Sequence, residues 1–408
     1  MSEVYAIGIG PGAAEYLTPQ AAETIEKCTV IAGYRTYLDL IPERLRGKKV
    51  IAGSMREELK RCREALDAAL DATEVPVSVY DSLIESVHAN LDKMYRYVAL
   101  RRRLLGVDEL HMYDVYTPIV PDVAEEIPFE QAKATVLDAL AVLGEDYTAM
   151  LREGFDHRWL DVYPNVGKRG GAYSSGIARP HPYVLLNYQP TTSNVFTLAH
   201  ELGHAMHSYH SERAQPQEKS DYKIFVAEVA STVNEVLLVK YLLKHTDDPK
   251  VKKYLLSYYM DTLKGTLFRQ TQFAEFEFMA HDMAEKGQPL TKDVLNDAYL
   301  ALNRKYYGRS VVSDPEIAYE WARIPHFYRS FYVYKYATGI ISAVSIAERI
   351  YSEGAPAVED YFRFLSSGGS DSPVELLKLA GVDLTKPDAF AAAMASFKSA
   401  LEQFEALE

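Results

Sequence analysis

Within the 408 residues, the stretch Thr197-Leu-Ala-His-Glu-Leu-Gly-His-Ala-Met-His207 places two imidazoles four positions apart with a carboxylate beside the first. On a helix, residues four apart are stacked neighbours, so His200 and His204 point the same way and can share one metal ion. Glu201 then lies about 100° around the helix from His200, near the ion without having to bind it. A carboxylate there can take a proton from a zinc-bound water, the role of the glutamate in an H-E-x-x-H helix. Val195, Phe196, Leu198, Ala199, Leu202 and Met206 supply the apolar stripe that would bury such a helix. His207 and His210 continue the cluster, but a zinc that also holds a water rarely takes more than three protein ligands. They are expected next to the ligands or at the surface.

Two histidines leave such a site one protein ligand short, and the third must come from an element that folds back on the first. After the polar turn of Ser211–Asp221, the run Phe225-Val-Ala-Glu-Val-Ala-Ser-Thr-Val-Asn-Glu235 sets two carboxylates among apolar and small residues. Buried acids need partners. Glu228 and Glu235 are seven apart, two turns along one face, so both can look toward the first helix. Glu228 suits direct coordination; Glu235 suits a hydrogen bond to the far nitrogen of a ligand imidazole, which fixes its tautomer. An ordinary ion-pair role is the alternative for either.

The length predicts two or three lobes with ample core. A net charge of -13 argues against nucleic acid or an anionic membrane as partner. The N-terminus lacks a basic region and a long apolar run, and no later stretch approaches a bilayer-spanning length. Cys28 and Cys62 are the only cysteines, which predicts a cytoplasmic chain without a disulfide framework. Thirty tyrosines suit wet clefts, where an apolar ring and a hydrogen-bonding tip are both useful.

Along the chain, Val4–Ile9 reads as a buried strand entering the turn Gly8-Ile-Gly-Pro-Gly12. A helix over Pro19–Lys27, strands over Thr29–Ala32 and Lys49–Ala52, and a helix over Met55–Ala69 follow, an α/β alternation. From Asp71-Ala-Thr-Glu-Val-Pro76 onward the pattern turns helical: Val79–Leu105, Phe129–Glu153, Lys223–His245, Lys250–Lys286, Thr291–Tyr307 and Phe331–Ser352. Arg101–Arg103 reads as a solvated helix end. Between Asp161 and Gln189 the helical period gives way to the glycine-rich bend Tyr163–Gly176, with Gly170, Gly171, Ala172 and Tyr173 at its turn, and then to Pro182–Tyr188. These are short strands, with two open readings: an edge that takes an extended peptide as another strand, or a structural hairpin packed on the helices.

Two resemblances attach to these segments. Ala6–Gly12 with Glu15–Thr18, Val30–Tyr37 and Gly47–Ala68 resembles the beginning of the precorrin methyltransferases of cobalamin biosynthesis, over about the first 72 residues. Those enzymes also use later segments, including a second glycine-rich loop, to hold S-adenosylmethionine. The sequence has none downstream, so methyl transfer is not expected.

His200–His207, Phe225–Glu235 and Ile324–Gly339 resemble the thimet oligopeptidase and oligoendopeptidase F family, nearest the latter, from about Val75 to the C-terminus. The resemblance implies one Zn2+ on His200, His204 and Glu228, Glu201 as general base, and hydrolysis of peptide bonds in short, unfolded peptides. It also implies a mainly α fold, a zincin-type helical bowl with a deep channel and a small β-sheet beside the H-E-x-x-H helix, here preceded by a short α/β segment (1–72, then 73–408). His326, Tyr332 and Tyr334 match the family's donors to the developing oxyanion, with Tyr328 and Tyr336 as alternatives. A phenol, with a reference pKa of about 10, stays protonated and can donate. The family's long helical N-terminal portion has no counterpart, which predicts a fused chain with a more open cleft and weakened cleavage. Two further classes are a cobalamin-pathway methyltransferase fragment and a metal-holding scaffold with four protein ligands.

Overall fold

The computed structural model describes residues 19–28, 30–34, 49–53, 65–121, 126–176 and 181–408. The chain forms two compact units, Met1–Ala68 and Ala69–Glu408. In the first, helix α1 (Pro19–Lys27) is followed by strands β1 (Val30–Tyr34) and β2 (Lys49–Gly53), which pair in parallel with Val30 opposite Lys49. Parallel neighbours require a crossover connection, in keeping with the expected α/β alternation. The expected strand at residues 4–9, the glycine turn after it and Cys62 lie outside the described residues. Of the helix expected over Met55–Ala69, the described part is α2 (Ala65–Asp71).

The second unit is mostly helical. Helices α3 (Val77–His88) and α4 (Leu91–Leu105) share the stretch read from the sequence as one amphipathic run; the chain breaks at Ala89–Asn90, and α4 stops at Gly106 in the left-handed conformation. A short strand β3 (Leu110–His111) follows. The second expected run also divides, into α5 (Phe129–Leu140) and α6 (Glu145–Asp156), because Gly144 turns the backbone at φ +95°. Periodicity persists across both breaks and does not register them.

Strands β4 (Leu160–Asp161), β5 (Tyr173–Ser175) and β6 (Tyr183–Leu185) make a three-stranded sheet in the order β4-β6-β5, with β4 parallel and β5 antiparallel to the central β6. Strand β5 is thus an edge among the described residues, and it packs against helix α7 (Thr192–Ala214). The side chain of Asn187 donates to the carbonyls of Arg169 and Gly171 at 2.9 and 2.8 Å, which holds the glycine bend against the sheet.

Helix α7 begins at Thr191, whose hydroxyl accepts from the Asn194 amide. Beside it runs α8 (Ile224–His245), whose buried residues, from Phe225 through Val239, fall all around the helix. A helix apolar on every side belongs in a core, and α8 is packed between α7 and α12 (Tyr334–Glu353). Between α8 and α12 come α9 (Pro249–Leu263), a π turn over Lys264–Phe268, α10 (Arg269–Glu285), α11 (Lys292–Tyr307) and strand β7 (Val311–Val312), which pairs with β3. Helices α13 (Ala355–Leu365), α14 (Pro373–Leu379) and α15 (Pro387–Glu405) complete the unit. Among the described residues no helix is long and apolar enough to cross a membrane.

Candidate metal centre

The close approach of α7 to α8 begins at Gly203. A Cβ there would lie 2.5 Å from the Ser231 Cα and 2.6 Å from the Ala230 carbonyl oxygen, so only a hydrogen fits between the two backbones. Asn234 ties the crossing: its side chain donates to the Ala199 carbonyl at 3.0 Å and accepts from the Tyr147 hydroxyl at 3.1 Å, all buried. The six apolar residues read from the sequence as the α7 stripe are buried, Leu198 and Ala199 completely.

On the open side of this crossing, three ligand atoms converge. The Nε2 atoms of His200 and His204 are 3.1 Å apart, and each is 3.4 Å from Glu228 Oε2. Four-coordinate zinc with bonds of 2.0–2.1 Å places neighbouring donors about 3.3–3.4 Å apart, so the triangle has the size such an ion requires. His200 Nδ1 sits 2.6 Å from Glu235 Oε1. With that nitrogen donating to the carboxylate, the Nε2 lone pair is directed at the triangle. Two imidazole nitrogens facing each other across 3.1 Å, with a carboxylate beside both, call for a positive charge between them.

Burial opposes a charge on His200, but the hydrogen bonds and charges of Glu228 and Glu235 outweigh it and hold the imidazole up to about 10. Glu228, also opposed by burial, is held well below the usual carboxylate range by the two imidazoles. Without a metal ion a proton takes the cation's place. All three side chains are half-buried, and that of Glu228 is 38% exposed, which leaves a face for water or a small molecule.

Glu201 is buried, and its Oε2 has no hydrogen-bond partner among the described residues. Burial pushes its carboxyl up, while the His200 and His204 charges pull it down. A carboxylate with a spare oxygen, next to His200 in the chain but outside the triangle, has the chemistry to carry a proton.

His326 lies on a 3-10 turn, Pro325–Tyr328, ahead of α12. Its Nε2 is 3.4 Å from the Tyr336 hydroxyl, and its ring is 5.8 Å from that of Tyr332. Burial, followed by Tyr332 and the nearby charge of Glu228, pushes the Tyr336 phenol up to about 12, so it stays a donor. A Cβ at Gly339, one turn beyond Tyr336, would touch Glu228 Cβ at 3.8 Å, which sets this face of α12 against α8.

Tyr334 requires a correction. It is fully buried, with its ring packed against Tyr80 and Phe225 at 5.2 and 5.9 Å. Two residues along a helix is a rotation of about 200°, so when Tyr336 faces His326, Tyr334 faces the core. Tyr336, an alternative in the sequence, is the phenol whose hydroxyl lies beside His326. Tyr328 is 91% exposed. His207 is not at the surface: it is buried and stacked on Tyr222 at 3.7 Å, and burial, followed by the charge of His204, drives its ring down to about 3. Of the glycine bend, Gly170 and Gly171 are exposed, Ala172 is half-buried and Tyr173 is 52% exposed at the start of β5.

Sequence reasoning passed over Asn234, Tyr147 and Gly203. A glycine inside a helix costs about 1 kcal/mol relative to alanine, which is itself a signal that something passes close by.

Comparison with known proteins gives two family matches. Residues 48–396 match the model of Peptidase family M3, and residues 3–82 match that of the tetrapyrrole (corrin/porphyrin) methylases. Oligopeptidase PepF of Bacillus subtilis is 47% identical over 349 residues, 86% of this chain and 52% of that protein. A peptidase crystal structure from Chlamydophila abortus superposes with a TM-score of 0.82 at 41% identity, covering 86% of this chain and 59% of that one. Oligoendopeptidase-F from Enterococcus faecium gives 0.69 at 39%, covering 86% and 57%. The chain thus spans between half and three fifths of these three relatives. With the family model matched over most of its length and the histidine-glutamate triangle on two crossed helices, the chain belongs to Peptidase family M3.

Proposed function

We propose that the second unit is a zinc metalloendopeptidase acting on short, unfolded peptides. The observation that carries this reading is the triangle of His200 Nε2, His204 Nε2 and Glu228 Oε2 with the unpartnered Glu201 carboxylate beside it. Zinc bound by those three atoms would supply Lewis-acid polarisation of the scissile carbonyl and a water that deprotonates near neutral pH. Glu235 holds His200 in the tautomer that presents Nε2. Glu201 takes one proton from the attacking water at its free oxygen and returns it to the leaving amine as the C–N bond breaks. Tyr336 and His326, with Tyr332 beside them, donate to the carbonyl oxygen as it gains charge.

The edge of β5 away from β6, with Gly170, Gly171, Ala172 and Tyr173 leading into it, would take the substrate backbone as a further strand. An acidic chain with two cysteines suits the cytoplasm and disfavours nucleic acid and anionic membranes. A second reading draws on the methylase match over residues 3–82: a front of different origin would leave zinc and peptide binding in place while weakening cleavage.

Zinc content, together with cleavage of an internally quenched peptide by the intact chain and by Glu201→Gln, tests the assignment. One zinc per chain and turnover lost in the variant are expected. Zinc without turnover in the intact chain selects the second reading, and no zinc rejects both.

A further inference from the structure

The backbone takes an unfavourable turn immediately before Tyr332. Phe331 has φ +53°, the left-handed region that a bulky side chain seldom adopts. Its ring is nonetheless fully buried, 4.6 Å from His281 and 5.9 Å from Tyr80. Such a conformation persists only where surrounding groups over-determine it. Here the polar group that does so is Glu277 on α10, which is 3% exposed and whose Oε1 accepts from the Phe331 amide at 2.7 Å.

Glu277 is expensive to bury. Burial pushes its carboxyl up to about 8, opposed by the Phe331 amide and the charge of Lys335, and its Oε2 has no partner among the described residues. Lys335 lies one turn on, with its ammonium 5.2 Å from the ring centre of Tyr332. An acid bonded to one backbone amide in an apolar setting does little for the α10 core, where an apolar residue of its shape would pack without the desolvation cost. Its contact falls between the two parts of the donor group. His326 precedes the turn; Tyr332 and Tyr336 follow it. A rotation at Phe331 would carry the phenols away from His326 and from Glu228.

We propose that Glu277 is a positioning residue: by fixing the Phe331 turn from α10 it holds Tyr332 and Tyr336 in register with His326 beside the metal triangle. This rests on the peptidase reading for its catalytic consequence, but the anchoring itself does not. The test compares Glu277→Gln, which keeps an acceptor of the same shape, with Glu277→Met, which removes it.

Two readouts are taken on the intact chain. The first is hydrogen exchange of the segment 324–339, followed by mass spectrometry. Faster exchange there in Glu277→Met but not in Glu277→Gln, with 195–235 unchanged, is expected; equal exchange in both variants overturns the proposal whatever the activity. The second is peptide cleavage at full zinc occupancy. Glu277→Met should lower kcat at least about tenfold with KM nearly unchanged, and Glu277→Gln should restore it to within about threefold. In a Tyr336→Phe background the same Met substitution should cost much less, since the hydroxyl it misplaces is already gone. A full additional loss in that background would make Glu277 merely structural and refute the positioning role. A wild-type chain that cleaves nothing fails the peptidase reading, and the exchange data still decide the anchoring.

Discussion

Replacing Gly203 with alanine puts a methyl group where the structure has backbone. Its carbon would lie 2.5 Å from Ser231 Cα, 2.6 Å from the Ala230 oxygen and 2.8 Å from the Ala230 carbon. Ordinary contacts are about 3.5 Å or more, so the helices must part by roughly 1 Å. None of the three atoms is the flexible end of a side chain that could turn aside. Glu228 is one turn from Ser231 and moves with it. A site that tolerates about 0.2 Å in its bond lengths loses that carboxylate as a ligand. The cost in stability is that of overpacking, about 1–3 kcal/mol. The cost in zinc affinity should exceed the 10–100-fold known for the loss of an outer-sphere partner.

Chelator competition for zinc and thermal melts of the metal-free chain measure the two separately. Gly265→Ala is the control, because a Cβ at Gly265 meets nothing within 4 Å. A Gly203→Ala chain that melts lower but binds zinc as tightly as its parent would refute the claim that this crossing sets the ligand spacing.

Glu235→Ala should keep the fold and weaken zinc about 10–100-fold, read by the same competition, because His200 loses the group that orients its ring. Tyr336→Phe should reduce kcat by about two orders of magnitude, while Tyr334→Phe, in the core, should leave kcat near its starting value; steady-state cleavage rates distinguish the two. Zinc affinity should rise with pH. In the metal-free chain His200 is held up to about 10, so zinc displaces one proton, and affinity should climb about tenfold per pH unit from neutrality and level off near 10. The sign reverses for the metal-free fold: a raised folded-state pKa stabilises below the reference value of 6.5, and that contribution should be lost as pH rises through about 10, as paired melts with and without zinc would report.

The sequence alone determined the groups whose relation is local. His200, Glu201 and His204 lie within five residues of one another on one helix, and Glu228 and Glu235 within eight on another, so helical period alone aims each set. The stripe that buries α7 was legible for the same reason. Tertiary structure decided what depends on how elements meet. The 3.1–3.4 Å triangle exists because Gly203 admits the Ser231 backbone, a contact across 28 positions that no window of sequence contains. It also decided between the phenols. Tyr334 and Tyr336 fall on opposite faces of one helix, and the turn at Phe331, bonded from another helix by Glu277, bears on which face looks toward His326 and which is left in the core. Local geometry follows from bond rotations that neighbouring residues restrict; the distance between helices follows from whichever atoms touch first, and those can belong to any two parts of the chain.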